Sequence, residues 1–229
     1  MQAVTSDRVF DVLRKSMLVD GFDMVLDTEQ SKGARLYCSK NKKTYIDFFS
    51  FFASNPLGFG HPKMSDPAFE KKLLAAAKVK VSNSDIYTTA YAEFVSLFHD
   101  KVAPQFDRLF SIEGGALGVE NAIKTAQDWK VQKNIRAGRG EKGTQVLHFR
   151  EAFHGRTGYT LSLTNTLPEN VAYFPKFDWP RVTNPKMAFP FTGENQKNTL
   201  ELEKKACAEI ERAFTERPNE ICALILETM

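Results

Sequence analysis

The chain has 229 residues, a formal net charge of +3 at pH 7 and 42% hydrophobic residues. This length suits one large domain or two small ones with a buried core. The balanced charge gives no electrostatic basis for nucleic acid or a membrane surface as the main partner. No apolar run approaches the roughly 18 residues of a membrane span, and the first residues of the sequence contain no apolar run typical of a signal peptide. Three widely spaced cysteines predict reduced thiols in a cytoplasmic protein without a metal site.

Residues 1–65 predict a helix followed by a small antiparallel meander, which we assign to an N-terminal segment. Apolar side chains recur at helical spacing over residues 6–19. Three β-like runs separated by turn residues follow. Phenylalanine is abundant nearby, and such an aromatic stripe is more typical of a core or a subunit interface than of a ligand cage. The β-like runs are residues 24–30, 34–39 and 43–49, and the phenylalanines are Phe48, Phe49, Phe51, Phe52 and Phe59.

Residues 66–229 predict the incomplete first half of a large α/β domain. Strands separated by helices favour a doubly wound, mostly parallel sheet. The last strand is apolar throughout, as expected of a strand covered on both faces. Because the sequence ends soon after this strand, we expect an incomplete sheet with an unpaired edge. The predicted helices are 67–79, 89–102, one after residue 115, and 196–215; the predicted strands are 106–112, 145–149 and 221–226, with a basic connector at 130–143.

A possible phosphate site lies in residues 111–117, which read as a strand, a two-glycine turn and the start of a helix. Small residues let the backbone approach an anion, and a helix N-terminus offers unpaired N–H groups and the positive end of the helix dipole. The segment lacks the lysine of a P-loop and the spacing of the dinucleotide fingerprint. Glycine turns before helices are common, so the segment taken alone favours an ordinary turn over a phosphate site.

A second group of candidates follows the predicted strands at their carboxyl ends, where α/β proteins bind ligands. Phe153 could stack on a planar ring, and Arg156 could clamp a carboxylate. Taken singly, each is better explained as a structural residue: a core phenylalanine, a surface arginine and, between them, His154 in a turn. Glu227 ends the last strand, where a glutamate is either a solvated charge or a gate for an amine.

Together these segments resemble the class III (ornithine-type) aminotransferases, which depend on pyridoxal 5'-phosphate (PLP) and share fold type I. The resemblance is closest to the lysine 6-aminotransferase branch, and residues 153–181 are specific to that branch. It implies an α/β fold in which the antiparallel meander precedes the first part of the doubly wound sheet, here truncated. The residues that carry it are 16–22, 52–58, 82–87, 113–124, 143–148, 153–166 and 174–181.

The resemblance implies a cofactor site for PLP built from two segments. Gly115 and Ala116 would give backbone N–H groups to the PLP phosphate. Phe153 would stack on the pyridine ring, with His154 beside it. No metal is implied.

The resemblance also implies a substrate site. Arg156 would bind the α-carboxylate of L-lysine or of 2-oxoglutarate, and Glu227 would lie near the cofactor and the substrate side chain. The loop 83–87 would lie near the active site at the interface of a homodimer. The ε-amino group of lysine would pass to 2-oxoglutarate, giving 2-aminoadipate 6-semialdehyde and glutamate.

No catalytic residue is expected within this chain. In the family, the Schiff-base lysine and the aspartate paired with the pyridine nitrogen both follow the strand that ends in Glu227. The family's Glu-Pro sequence is also replaced here by Glu227-Thr228. We therefore expect these 229 residues alone to lack transaminase activity.

Three alternatives stay open on the sequence alone. The first is another class III aminotransferase, of the ornithine or 4-aminobutyrate type. The second is a non-catalytic truncated remnant or a partner subunit. The third is a domain that binds a sugar phosphate or a nucleotide phosphate, which accounts for Gly114 and Gly115 but not for residues 153–156.

Overall fold

The structure is a computed structural model and describes residues 3–79 and 85–227. It consists of two compact units, residues 1–102 and 103–229. The division between residues 65 and 66 that the sequence suggests stays a prediction. Across the described ranges, no helix has both the length and the apolar character to cross a membrane, and no group of three or more His, Cys, Asp or Glu side chains could hold a metal ion.

The first unit contains the predicted antiparallel meander, with strand order β1-β2-β3. Two later helices begin at side chains that accept hydrogen bonds from backbone N–H groups, Asp66 for α3 and Thr88 for α4, as N-caps do. The predicted first helix is much shorter than its 14-residue apolar pattern. The elements are α1 (Val9–Leu13), β1 (Leu26–Lys32), β2 (Arg35–Cys38), β3 (Lys43–Ile46), α2 (Ser50–Ala53), a 3-10 turn (Pro62–Ser65), α3 (Pro67–Ala77) and α4 (Thr89–Lys101).

The phenylalanine-rich segment forms an unusual turn in this unit. The four residues of α2 all have positive φ angles, between 45° and 60°, which makes α2 a single left-handed turn. Asp47 precedes it and accepts hydrogen bonds from the N–H groups of Phe49 and Ser50 at 3.0 and 2.8 Å. The rings contact one another edge to face, yet only Phe59 is buried while Phe48 and Phe52 are exposed. The prediction of a core position is thus right for Phe59 alone, and an interface role stays a prediction.

The second unit contains a three-stranded parallel sheet in the order β5-β4-β6. Successive residues of β4 face opposite sides. Val146 packs with Ile123 of α5 in one cluster, whereas Leu147 packs with Ala213 of α7 in another. Helices therefore cover both faces, which confirms the predicted doubly wound arrangement. The elements are α5 (Gly115–Arg136), β4 (Gln145–Phe149), α6 (Thr160–Leu163), a 3-10 turn (Pro168–Asn170), β5 (Arg181–Val182), α7 (Gly193–Glu216) and β6 (Ile221–Ile225).

Two local predictions for this unit are wrong. Residues 106–112 form no strand, because no neighbouring strand among the described residues supplies hydrogen-bond partners to their backbone. The basic connector begins later than predicted, since α5 continues to Arg136. Strand β6 lies at the edge of the sheet and is only partly covered, with Leu224 43% exposed, as expected for an incomplete sheet.

Candidate active site

The first turn of α5 is an open helix N-terminus. Gly114 precedes it with φ +86°, and no side chain in the described part of the chain caps it. The N–H groups of Gly115 and Ala116 have no acceptor among the described residues. A Cβ atom built on Gly114 or Gly115 would meet nothing within 4 Å. The turn thus presents unpaired donors and the positive end of a 22-residue helix to open space, which is the arrangement that binds phosphate groups.

The loop after β4 packs directly on this turn. Gly155 has φ +108°, and a Cβ atom built on it would lie 2.5 Å from the Cβ atom of Ala116. Any larger residue would both clash and adopt a backbone conformation that L side chains rarely adopt. Glycine at position 155 therefore lets the loop that carries Phe153, His154 and Arg156 approach the start of α5.

Glu227 joins the same place from the end of β6. Its Oε2 atom accepts a hydrogen bond from the backbone N–H group of Phe153 at 2.9 Å. The structure thus brings together Ala116, Phe153 and Glu227, which lie far apart in sequence. Its carboxylate also acts on the neighbouring His154, whose pKa it tends to raise.

His154 is buried and only partly satisfied. Its backbone N–H group donates to Oγ1 of Thr164 at 2.9 Å, and that hydroxyl donates to the carbonyl oxygen of Gly155 at 2.6 Å. The imidazole is 9% exposed, and its Nε2 atom has no hydrogen-bond partner within the described ranges. Burial lowers the pKa of His154 below its usual 6.5, against the opposing charge of Glu227. The ring is accordingly neutral at pH 7, with one nitrogen left for a ligand.

The side chains of Phe153 and Arg156 form no ring stacking, ion pair or hydrogen bond with the rest of the described residues. The Phe153 side chain is 48% exposed and makes no ring contact there. Arg156 is exposed and forms no ion pair or side-chain hydrogen bond in residues 3–79 and 85–227. An accessible aromatic face and an unpaired guanidinium beside an open helix N-terminus suit a ligand with a phosphate, a flat ring and a carboxylate.

The predicted loop 83–87 is only partly described. Residues 83 and 84 lie outside the described ranges. Tyr87 stacks on Tyr91 with ring centroids 6.4 Å apart, within the first unit. The proximity of this loop to the active site stays a prediction.

Glu120 is a functional candidate that the sequence pattern missed. Its spacing suggests a surface pair with Lys124, but Glu120 is 8% exposed and its Oε1 atom accepts a hydrogen bond from the Tyr159 N–H group at 2.8 Å. The Lys124 ammonium lies instead over the Tyr159 ring, 5.8 Å from its centroid. A signal was present, since Glu120 lies one residue after Val119 and three before Ile123 on the buried side of α5.

The sequence profile of the class-III aminotransferases matches residues 18–229. The chain belongs to this family. It is 46% identical to the L-lysine-epsilon aminotransferase of Streptomyces clavuligerus over 224 residues, which are 96% of this chain and 48% of that protein. It is 47% identical to the L-lysine-epsilon aminotransferase of Mycobacterium tuberculosis, over 97% of this chain and 50% of that protein.

The comparison with solved structures agrees with the sequence comparison. A solved structure of a lysine aminotransferase from M. tuberculosis superposes with a TM-score of 0.90 at 47% identity, covering 98% of this chain and 52% of that one. This confirms the fold of PLP-dependent aminotransferases. The chain spans about half the length of the curated relatives it matches.

Class-III aminotransferases depend on PLP, and the residues of this family member fit that group. The open turn at Gly115 leaves room for a phosphate. The unpartnered Nε2 atom of His154 and the accessible ring of Phe153 offer a polar and a stacking contact to the rest of the cofactor.

Proposed function

We propose that this chain supplies the cofactor-binding part of an L-lysine 6-aminotransferase. The observation that carries the proposal is the convergence of three separate segments. The N-terminus of α5 meets the loop of residues 153–156 at Ala116 and Gly155, and Glu227 meets the same loop at Phe153. Each segment taken alone could have a purely structural role. Together, however, an open anion site, an accessible aromatic ring and a buried unpaired imidazole nitrogen suit PLP.

In this proposal four residues hold the cofactor. The N–H groups of Gly115 and Ala116 bind its phosphate, as helix N-termini do. Phe153 stacks on its ring, and Nε2 of the neutral His154 takes a polar contact. PLP, when bound, supplies the electron sink that amino-group transfer needs. The contact from Glu227 to the Phe153 N–H group fixes the backbone under the stacked ring.

Two further residues bind the substrates. The Arg156 guanidinium is free to form a bidentate pair with the α-carboxylate of L-lysine or of 2-oxoglutarate. Glu227 uses one oxygen on Phe153, and its negative charge favours a lysine ε-ammonium group nearby. The identity of 46–47% with lysine aminotransferases supports lysine over ornithine or 4-aminobutyrate as the amine, with 2-aminoadipate 6-semialdehyde and glutamate as products.

The proposal assigns the proton-transfer steps to residues outside this sequence. By family resemblance, the Schiff-base lysine and the aspartate at the pyridine nitrogen follow the β6 strand, and the whole protein is a homodimer. The 229 residues alone should therefore bind the cofactor without turning over lysine.

Cofactor binding is tested with pyridoxamine 5'-phosphate, which lacks the aldehyde that would react with surface lysines. Calorimetric titration of the 229-residue chain should show binding, and Phe153→Leu should weaken it about tenfold through the lost stacking. Phe174→Leu is the matched control, because Phe174 is equally exposed (55%) in the same unit. Equal affinity in all three proteins would contradict the proposal.

Catalysis is tested by complementation. This chain, co-expressed with the C-terminal half of the M. tuberculosis relative, should form glutamate from L-lysine and 2-oxoglutarate. The chain alone should form none. Glutamate formation by the chain alone would overturn the assignment of the missing residues, and a preference for ornithine or 4-aminobutyrate would overturn the substrate.

The competing phosphate-binding domain gives a different result in the same titration. A site that recognises only a phosphate would bind glucose 6-phosphate as tightly as pyridoxamine 5'-phosphate and would be indifferent to Phe153→Leu. The accessible ring of Phe153 favours the aminotransferase hypothesis over a simple phosphate-binding domain.

A further inference from the structure

Glu120 is a buried carboxylate in the second turn of α5. It is 8% exposed, and burying a carboxylate is unfavourable unless hydrogen bonds compensate for lost water. Here the Tyr159 N–H group donates to it at 2.8 Å. The neighbouring Thr157 side chain is the main cause of a lowered pKa for this carboxyl, followed by the contact from Tyr159 and the charge of Lys124, while burial opposes them. Glu120 is therefore ionised and bound to the loop after β4.

The contact between Glu120 and the loop is accompanied by a second contact between α5 and the same loop, one helical turn away. Gly155 packs on Ala116, and Tyr159 is hydrogen-bonded to Glu120. Residues 116 and 120 are four apart on α5, which places them on one face of the helix. Residues 155 and 159 are also four apart. The loop is thus fixed to α5 at two points with matched spacing, and Arg156 lies between them.

Further contacts make the Glu120 end of the loop rigid. The N–H group of Thr157 donates to Oγ1 of Thr160 at 2.9 Å. The Tyr159 ring stacks on Phe177 and Trp179, with centroids 5.4 and 6.1 Å away. The Glu120 carboxylate links this cluster to the helix whose first turn carries the open N–H groups.

We propose that Glu120 is a positioning residue that sets the distance between the phosphate-binding turn of α5 and the loop bearing Phe153 and Arg156. The inference rests on the proposed function, since it concerns a ligand that must reach the helix N-terminus and the aromatic ring at once. Without Glu120, only the contact of Gly155 with Ala116 would fix this loop to α5 among the contacts described above. A ligand spanning both segments would then have to order the loop on binding, and its affinity would fall.

Two substitutions separate reach from charge. Glu120→Asp keeps the charge but withdraws the acceptor by one methylene, so it should lose the contact with Tyr159. Glu120→Gln removes the charge but keeps an oxygen at the same reach, so it should retain that contact. Asp128→Asn is the matched control, because Asp128 is an exposed acid on the same helix.

The cofactor-independent readout is amide hydrogen exchange over residues 153–160 in the unliganded 229-residue chain. Exchange should increase in Glu120→Asp, above all at Tyr159, and should stay near that of the unsubstituted chain in Glu120→Gln and Asp128→Asn. Unchanged exchange in Glu120→Asp would overturn the proposal.

The functional readout is affinity for pyridoxamine 5'-phosphate. We expect about tenfold weaker binding for Glu120→Asp and near-unchanged binding for Glu120→Gln and Asp128→Asn. If Glu120→Asp loosens the loop but binds as tightly as the unsubstituted chain, the positioning role is wrong. If the unsubstituted chain does not bind at all, the proposed cofactor site fails, while the exchange result still decides whether Glu120 fixes the loop.

Discussion

The half-buried Arg181 and the buried His148 form a pair across two neighbouring parallel strands, in which the Nε–H group of Arg181 donates to Nε2 of His148 at 3.0 Å. The second ring nitrogen, Nδ1, lies 3.1 Å from the carbonyl oxygen of Val146. Since Nε2 accepts, Nδ1 carries the proton and donates to that carbonyl. The pair therefore requires a neutral imidazole. Burial, with a further contribution from the Arg181 charge, lowers the pKa of His148 from 6.5 to about 4.

This pair predicts that stability falls in mild acid. In the unfolded chain His148 takes up a proton near its ordinary pKa, whereas in the folded chain it does so only near pH 4. Its contribution is fully present above pH 6.5 and is lost as the pH falls towards 4, by about 3 kcal/mol. Urea unfolding at pH 7.5 and 4.5 should show this loss, and His148→Gln should reduce it by about 2 kcal/mol. An equal loss in both proteins would rule out His148 as the cause.

The close approach at Gly155 predicts a large effect from one added methyl group. Gly155→Ala would place Cβ 2.5 Å from Ala116 Cβ at φ +108°, so the free energy of unfolding should fall by about 2–4 kcal/mol. Gly158→Ala is the control in the same loop, since its Cβ would meet only Glu120 Oε1 at 3.7 Å and should cost about 1 kcal/mol or less. Thermal unfolding measures both, and similar losses would argue against the contact with α5.

Elements could be predicted from the sequence where the local side-chain pattern is sufficient to define them. Residues 145–149 and 221–226 are apolar runs bounded by turn residues, and both form strands. Residues 106–112 look similar locally but form none, because a strand also needs a hydrogen-bonded neighbour. The two-residue strand Arg181–Val182 was missed for the converse reason: its pattern is too short to detect, and its pairing with β4 defines it.

In the candidate site, too, some features could be predicted from the sequence and others depend on tertiary contacts. The open turn at Gly115 and the loop at Phe153 could be selected from their residue types and their places beside strands. Their convergence could not, because it depends on the fit of Gly155 against Ala116. The role of Glu120 could not be predicted from the sequence, because its helical spacing to Lys124 suggests a surface pair, whereas its partner is a backbone N–H group 39 residues away.

The fully buried amide of Asn134 predicts a stability effect distant from the candidate ligand contacts. Its Nδ2 group donates to the carbonyl oxygens of Lys142 and Asn219 at 2.7 and 3.0 Å. Asn134→Ala would leave both carbonyl oxygens without the amide donor and should lower the free energy of unfolding by about 3 kcal/mol. Asn121→Ala on the same helix is the control, because the Asn121 side chain is not fully buried and donates to the nearby Leu117 carbonyl at 2.9 Å, so its loss should cost about 0.5 kcal/mol or less. Urea unfolding distinguishes them, and equal losses would contradict the buried role of Asn134.

The charge of Glu227 predicts a shift in the titration of His154. Burial lowers the pKa of His154 and Glu227 partly offsets that effect. Glu227→Gln keeps an oxygen that can accept from the Phe153 N–H group but removes the charge, so the pKa of His154 should move further below 6.5. The ring signals of the four histidines can be followed by NMR between pH 3 and 8. Glu203→Gln, at an exposed position of α7, should leave the titration of His154 unchanged, and a rise in Glu227→Gln would contradict the assigned pairing.

The left-handed turn of α2 predicts that one alanine-to-glycine substitution stabilises the protein. Ala53 is exposed and has φ +60°, where glycine avoids the steric penalty of a Cβ atom, so Ala53→Gly should raise the free energy of unfolding by about 1 kcal/mol. Ala75 is an equally exposed alanine inside α3. Ala75→Gly should have the opposite effect and lower the free energy of unfolding by about 1 kcal/mol. Urea unfolding of the two variants tests the sign directly. If Ala53→Gly destabilises the protein as much as Ala75→Gly does, Ala53 has an ordinary right-handed backbone and the turn is not left-handed in solution.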